Sequence, residues 1–258
     1  MTFVMLGAGN VATHLSLALQ SAGHTPLQVM SRTMASAQWL ASALGCDFTT
    51  DTQTVRTDAD IYLFAVNDEA IEQIARGIKA DKADAVFVHT AGSVSADVFR
   101  GVAAYYGVLY PLQTFTKDAD ICFSEVPCFV EGNDEYAESV ITLLARSISE
   151  RVHRAGSHQR KCLHLAAVFA CNFANHCYSL AADEMEQAAL PFELLLPLID
   201  ETARKVRSLS PTSAQTGPAA RGDKAIQELH LQMLADDELK SEVYKAMSRS
   251  IAHKKNKQ

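Results

Sequence analysis

The chain has 258 residues, 48% of them hydrophobic and 21% charged, with a net charge of −7. That length suits one large domain or two of ordinary size, and the composition is that of a soluble globular protein. The acidic balance excludes a general attraction to nucleic acid or to an anionic membrane, and no apolar run reaches membrane-spanning length.

Thr2 to Leu6 reads as a strand that runs into Gly7-Ala8-Gly9-Asn10-Val11-Ala12, a tight turn opening a helix. In a dinucleotide-binding unit Gly7 makes the turn, Gly9 lets the backbone approach a pyrophosphate, and Ala12 lets helix and strand pack closely. The free N–H groups over Gly7, Ala8, Gly9, Asn10 and Val11 then face the phosphates. Residues 11–22 have helical spacing, and residues 26–30 read as the second strand. Where NAD-binding chains carry an acidic residue, this strand ends in Ser31, Arg32 and Thr33. Two hydroxyls and a guanidinium suit a 2′-phosphate, so NADP(H) is expected rather than NAD. The other reading of Arg32 is a surface residue before the helix over residues 35–44.

Residues 46–49 read as a short strand and residues 59–66 as a central parallel strand covered on both faces. Its carboxyl end places Val66 and Asn67 beside the cofactor, with Asp68 a cap for a helix to Lys79. Residues 85–89 form another buried strand and deliver His89-Thr90-Ala91-Gly92-Ser93 to the same edge. This cluster either borders the nicotinamide and substrate or is a turn in which Ser93 or Ser95 caps a helix toward Arg100. A strand over residues 104–109 leads to Tyr110, a proton donor or else a buried tyrosine with one hydrogen bond. Strand, helix and strand at residues 126–131, 133–147 and 151–154 close the sheet.

From Ser157 the spacing is helical throughout, which divides the chain into a dinucleotide-binding domain, residues 1–156, and a helical domain, residues 157–258. A helix over residues 157–188 brings His164, Cys171 and Asn175 close to one line at ~3.6 residues per turn, with Val168 and Asn172 flanking it. Such a semi-polar stripe needs partners, either in helix–helix hydrogen bonds or in a substrate pocket. After a helix over residues 191–209, Thr216-Gly217-Pro218-Ala219-Ala220-Arg221-Gly222-Asp223 fixes the backbone sharply. It is a site loop, or Asp223 simply caps the helix that follows. A last helix covers residues 236–251, and Lys254-Lys255-Asn256-Lys257 reads as a solvated, frayed end. The six cysteines lack the spacing of a zinc site, and no metal is expected.

The glycine turn, Ser31-Arg32-Thr33, His89-Thr90-Ala91-Gly92-Ser93, Pro111-Leu112-Gln113-Thr114-Phe115, the helix of His164 and Asn172, and the 216–223 loop together resemble a known family. Its members pair a Rossmann domain of the F420-dependent NADP oxidoreductase type with a helical C-terminal domain of unknown function. They are distant relatives of pyrroline-5-carboxylate reductase and the 3-hydroxyacid dehydrogenases. The resemblance implies an α/β Rossmann domain followed by an all-α domain like the C-terminal part of 6-phosphogluconate dehydrogenase. It also implies NADP(H) in a cleft between the domains, and dimers formed through the helical domains. Two positions depart from these patterns. Tyr110 stands where the family reads His before Pro-Leu, and Val168 stands where the hydroxyacid dehydrogenases place a catalytic lysine.

The expected function is hydride transfer between NADP(H) and a small carbonyl, imine or hydroxy compound. His164 is the expected general acid, since histidine exchanges protons near neutral pH. Asn172 would position the substrate, Arg221 would pair with an anionic group, and Ser93 would polarise a carbonyl oxygen. The rival readings are a non-catalytic NADP(H)-binding sensor or partner protein, and a dimerisation module with a vestigial nucleotide site. With no leader before the first strand the expected place is the cytoplasm, and an apolar helical domain makes a symmetric homodimer the default.

Overall fold

The computed structural model describes residues 1–255 and divides into two compact units, residues 1–172 and the chain from Phe173 onward. The helix after Gly156 thus goes with the first unit, past the boundary expected at residue 156. Its Arg160 is completely buried and ion-pairs with Glu131, which ties this helix to the sheet.

The first unit is built on strands β1 (Thr2–Leu6), β2 (Thr25–Met30), β3 (Asp47–Thr49), β4 (Ile61–Phe64), β5 (Val86–His89), β6 (Tyr105–Pro111), β7 (Cys128–Gly132) and β8 (Val152–Arg154). They form one sheet in the order β3-β2-β1-β4-β5-β6-β7-β8. Only the β6–β7 pair is antiparallel. The strand order therefore reverses beside β1, which opens a crevice at the carboxyl ends of β1 and β4.

Side chains alternate across the sheet, so Phe3 and Met5 enter one core while Val4 and Leu6 enter the other. The first core receives the apolar stripes of helices α1 (Asn10–Ser21) and α2 (Met34–Leu44). The second is covered by the shorter helix α3 (Ile71–Arg76) and by a 3₁₀ turn, Ala96–Phe99, which Ser95 caps by accepting the Asp97 N–H at 3.3 Å. On the first face, α4 (Glu135–Ile148) starts where the Asp134 carboxylate accepts the Ala137 N–H at 2.8 Å, and buries Ala137, Ile141, Leu144, Ala145 and Ile148 along one stripe. The strand β6 runs past its expected end because Tyr110 and Pro111 find partners in Phe129 and Cys128 of β7.

The expected regular helix over residues 157–188 is instead three segments. Helix α5 (Ser157–Ala167) is followed by a π segment, Val168–Phe173, and then by α6 (Ala174–Gln187). A π turn takes in an extra residue, so the ~3.6-residue spacing that aligned His164, Cys171 and Asn175 does not run through it.

The second unit also contains α7 (Leu196–Lys205), α8 (Pro218–Arg221), α9 (Lys224–Met233) and α10 (Glu238–Lys255). Lys240 of α10 reaches back to Glu184 at 2.9 Å and Asp183 at 3.4 Å, and His230 lies 2.9 Å from the Tyr244 hydroxyl. Lys254 and Lys255 continue α10 rather than fraying from it, while Asn256 and Lys257 lie outside the described residues. No described helix is long and apolar enough to cross a membrane, and the described residues contain no cluster able to hold a metal.

Candidate functional site

The carboxyl ends of β1, β2, β4 and β5 border a cleft of about 790 Å³ within the first unit. At its floor the backbone of Gly7 has φ +117°, and a Cβ there would lie 2.1 Å from the Ala65 carbonyl oxygen. Only glycine lets β1 turn this close to the end of β4. Beside Gly9, by contrast, the space is open to 4 Å, so nothing keeps a ligand from its backbone. Ala8, Asn10 and Val11 continue this wall, and Val66 and Asn67 face it from the end of β4.

Ser31, Arg32 and Thr33 line the cleft at the end of β2. Arg32 is exposed and has no partner among the described residues, so its charge is free to meet an anion. The Thr33 hydroxyl bonds to Ser36 at 2.9 Å, where α2 begins. An open glycine turn, a helix N-terminus and a free guanidinium form a donor set that fits a phosphorylated dinucleotide.

A second group lies where β5 and β6 end. The Tyr110 hydroxyl is 3.1 Å from Nδ1 of His164, and both residues border the cleft. Gly92 packs against this pair so closely that a Cβ would come within 2.9 Å of both the imidazole and the phenol ring. Burial pushes the Tyr110 pKa above its ordinary value, with the nearby Arg160 charge opposing the shift. Arg160 itself ion-pairs with Glu131 and donates to the Val94 carbonyl, leaving its buried Nε without a partner among the described residues. It thereby pins α5 against the loop that follows β5, and His164 stands one turn further along α5.

Two expected residues take other positions, and a third lies in the second unit. His89 is completely buried beneath the loop rather than facing the cleft, its ring 5.7 Å from that of Phe99. Its Nδ1 accepts the Ala91 N–H at 3.2 Å and its Nε2 faces the Ser95 carbonyl at 3.4 Å. Burial first, and then the Arg160 charge, push its pKa down to about 3. Asn172 falls in the π segment, exposed and outside the cleft lining. Arg221 belongs to the second unit, exposed at the end of α8 between Gly217 and Gly222, both at positive φ. Asp223 caps α9, its carboxylate accepting the Ile226 N–H at 3.3 Å.

Ser93 borders the cleft, but its hydroxyl donates to Asp68. The proton Ser93 would need to polarise a substrate oxygen is thus directed elsewhere. Asp68 is correspondingly a partner of Ser93 and not the cap of a helix, since α3 is preceded by the 3₁₀ turn Asp68–Ala70 and ends at Arg76. Sequence reasoning missed the pairing of Tyr110 with His164, the buried Arg160, and Lys117, which also lines the cleft.

Residues 2–92 match the family described as NADP oxidoreductase coenzyme F420-dependent, and residues 126–251 match a domain of unknown function (DUF2520). Among solved structures, a proposed NADP oxidoreductase from Bacteroides fragilis is 45% identical, covers 98% of each chain and superposes with a TM-score of 0.94. A Thermotoga maritima protein is 23% identical over 97% of this chain and 99% of its own, with a TM-score of 0.77. An imine reductase from Myxococcus stipitatus, solved with NADP+, shares the fold at 18% identity, 98% and 93% coverage and a TM-score of 0.66. No curated relative matches the chain. At 45% identity over nearly its whole length, the chain belongs to the family of the Bacteroides protein, in which it carries an F420-dependent-type NADP oxidoreductase domain followed by the domain of unknown function.

Proposed function

We propose that the protein is an NADP(H)-dependent oxidoreductase that moves a hydride to or from a small carbonyl, imine or hydroxy compound. The observation that carries this reading is that one cleft holds the Gly7–Val11 turn and the free Arg32 together with the hydrogen-bonded pair of Tyr110 and His164. The similarity to a proposed NADP oxidoreductase supports it. When bound, the dinucleotide supplies or accepts the hydride.

The side chains of this chain manage the proton. In the reductive direction Tyr110 donates its O–H to the substrate oxygen or nitrogen as the hydride reaches the neighbouring carbon. The Nδ1–H of a protonated His164 replaces that proton across the 3.1 Å contact. Oxidation runs the same transfers in reverse, with neutral His164 accepting at Nδ1. Arg160 holds α5, and with it His164, against the loop of Gly92.

The partner of the second unit is a second copy of the chain. Leu194, Leu198, Met233 and Leu239 of this unit are 61%, 64%, 68% and 75% exposed, and a second copy would take such side chains out of water. The test of the function is to titrate the protein with NADP+ and NAD+, then screen small imines, carbonyls and hydroxyacids. Tighter binding of NADP+, with the preference lost in Arg32→Ala, is the expected result; tighter binding of NAD+ refutes the cofactor assignment.

A further inference from the structure

Sixteen residues, 112–127, connect the antiparallel neighbours β6 and β7, far more than such a connection needs. Their first half lies across the start of α1. The Asn10 side chain donates to the Phe115 carbonyl at 2.8 Å, and His14 Nε2 lies 2.7 Å from the Thr116 carbonyl. The Phe115 ring is buried with His14 on one side at 5.4 Å and Phe123 on the other at 6.0 Å. This segment is therefore anchored rather than loose, and two residues beyond Phe115 it presents Lys117.

Lys117 is exposed, and its Nζ sits 4.7 Å from the ring centre of Trp39, an aromatic side chain on α2 that is itself 48% exposed. Trp39 lies three residues after Ser36 on α2, so the two share a face about one turn apart. Ser36, Arg32 and Lys117 all line the same cleft. Neither Arg32 nor Lys117 has a carboxylate partner among the described residues. Two cations without a counter-ion among the described residues, brought to the lining of one cleft by elements far apart in sequence, form a site for a dianion.

Building on the proposed NADP(H) function, we infer that Lys117 is a second cation for the 2′-phosphate of the cofactor and so sets its preference for NADP(H) over NAD(H). The Trp39 ring holds the ammonium only weakly at an exposed site, and a phosphate dianion draws it off the ring. The placement on the α2 face, beyond the turn of Gly9, assigns Lys117 to the 2′-phosphate rather than to the pyrophosphate.

The test compares wild type, Lys117→Met and Arg32→Ala by calorimetric titration with NADP+ and NAD+, which differ only in the 2′-phosphate. Lys117→Met should weaken NADP+ binding about tenfold and change NAD+ binding less than about twofold. Trp39 is the chain's one tryptophan, so its emission should also change when NADP+, but not NAD+, binds to the wild type. An equal loss for both dinucleotides would put Lys117 on the pyrophosphate, and no loss for either would remove it from the site; both outcomes overturn the inference. A wild type that prefers NAD+ instead defeats the NADP(H) reading itself. If the preference for NADP+ disappears in Arg32→Ala but persists in Lys117→Met, that reading survives and only this inference fails.

Discussion

The buried His89 makes stability depend on pH in a way that can be worked out before measurement. Its folded pKa is pushed down to about 3, whereas the unfolded chain has the ordinary histidine value of 6.5. Between those values the unfolded state binds a proton that the folded state refuses, so stability is present above the unfolded pKa and is lost as pH falls toward the folded one. From about pH 7 to about pH 4.5 the loss from this residue comes to about 2.5 kcal/mol. The structural cause is that a protonated ring would have to stay desolvated beside the guanidinium of Arg160, while its Nδ1, which accepts the Ala91 N–H, would become a donor. The assay is urea unfolding of wild type and His89→Gln across this range. The variant lacks the titrating group, so its stability relative to wild type should improve by about 2.5 kcal/mol as the pH falls through the window. Parallel curves for the two proteins would refute the reasoning, because the ring would then be reaching water or a carboxylate that the structure does not show.

Three other outcomes follow from the site and the second unit. Replacing His164 with Gln should lower turnover by about 10²-fold or more with NADP+ affinity changed less than about twofold, checked by steady-state kinetics and calorimetry on whichever substrate the screen returns; equal turnover would remove His164 from the chemistry. Gly92→Ala puts a methyl group within 2.9 Å of both members of the Tyr110–His164 pair, so it should cost about 1–3 kcal/mol of stability in a melt and about 10²-fold in turnover, while NADP+ binding persists. Sedimentation equilibrium should find a dimer, and Leu198→Glu, which changes a side chain 64% exposed, should yield monomers that keep the first unit's NADP+ affinity.

The glycine-turn side of the cleft was legible because each part of it is local. A glycine with φ +117° at the end of a buried strand, and a basic residue at the end of the next, are read from spacing alone, and Gly7 through Val11 with Ser31 to Thr33 do border one cleft. Strand β5 shows where such reading stops. Position in the sequence says which residue reaches the sheet edge, but not which way its side chain turns, and His89 turns into the core beside Phe99. Helix α5 and its sequel failed for another reason. The stripe drawn through His164, Cys171 and Asn175 assumed unbroken α-helix, and the π segment at Val168–Phe173 interrupts it. Nothing in the apolar pattern announces a π turn, since the residues on both sides of it are equally helical in type.

The pairing of Tyr110 with His164 changes what the departure at Tyr110 means. Read alone, a tyrosine in place of the family's histidine argues for lost proton chemistry. In the fold, an imidazole stands 3.1 Å from that tyrosine, supplied by α5 from 54 positions further along the chain. In the proposed mechanism the proton transfer at this corner of the cleft is therefore shared between a phenol on β6 and an imidazole on α5. Arg160, fixed to Glu131 and to the Val94 carbonyl, is what makes the division workable, because a relay across two elements requires that neither slide against the other. The missing lysine at Val168 weakens the case for chemistry no further, since the proposed proton route does not pass through that position. The departures at Tyr110 and Val168 thus predict a distinct proton donor rather than none.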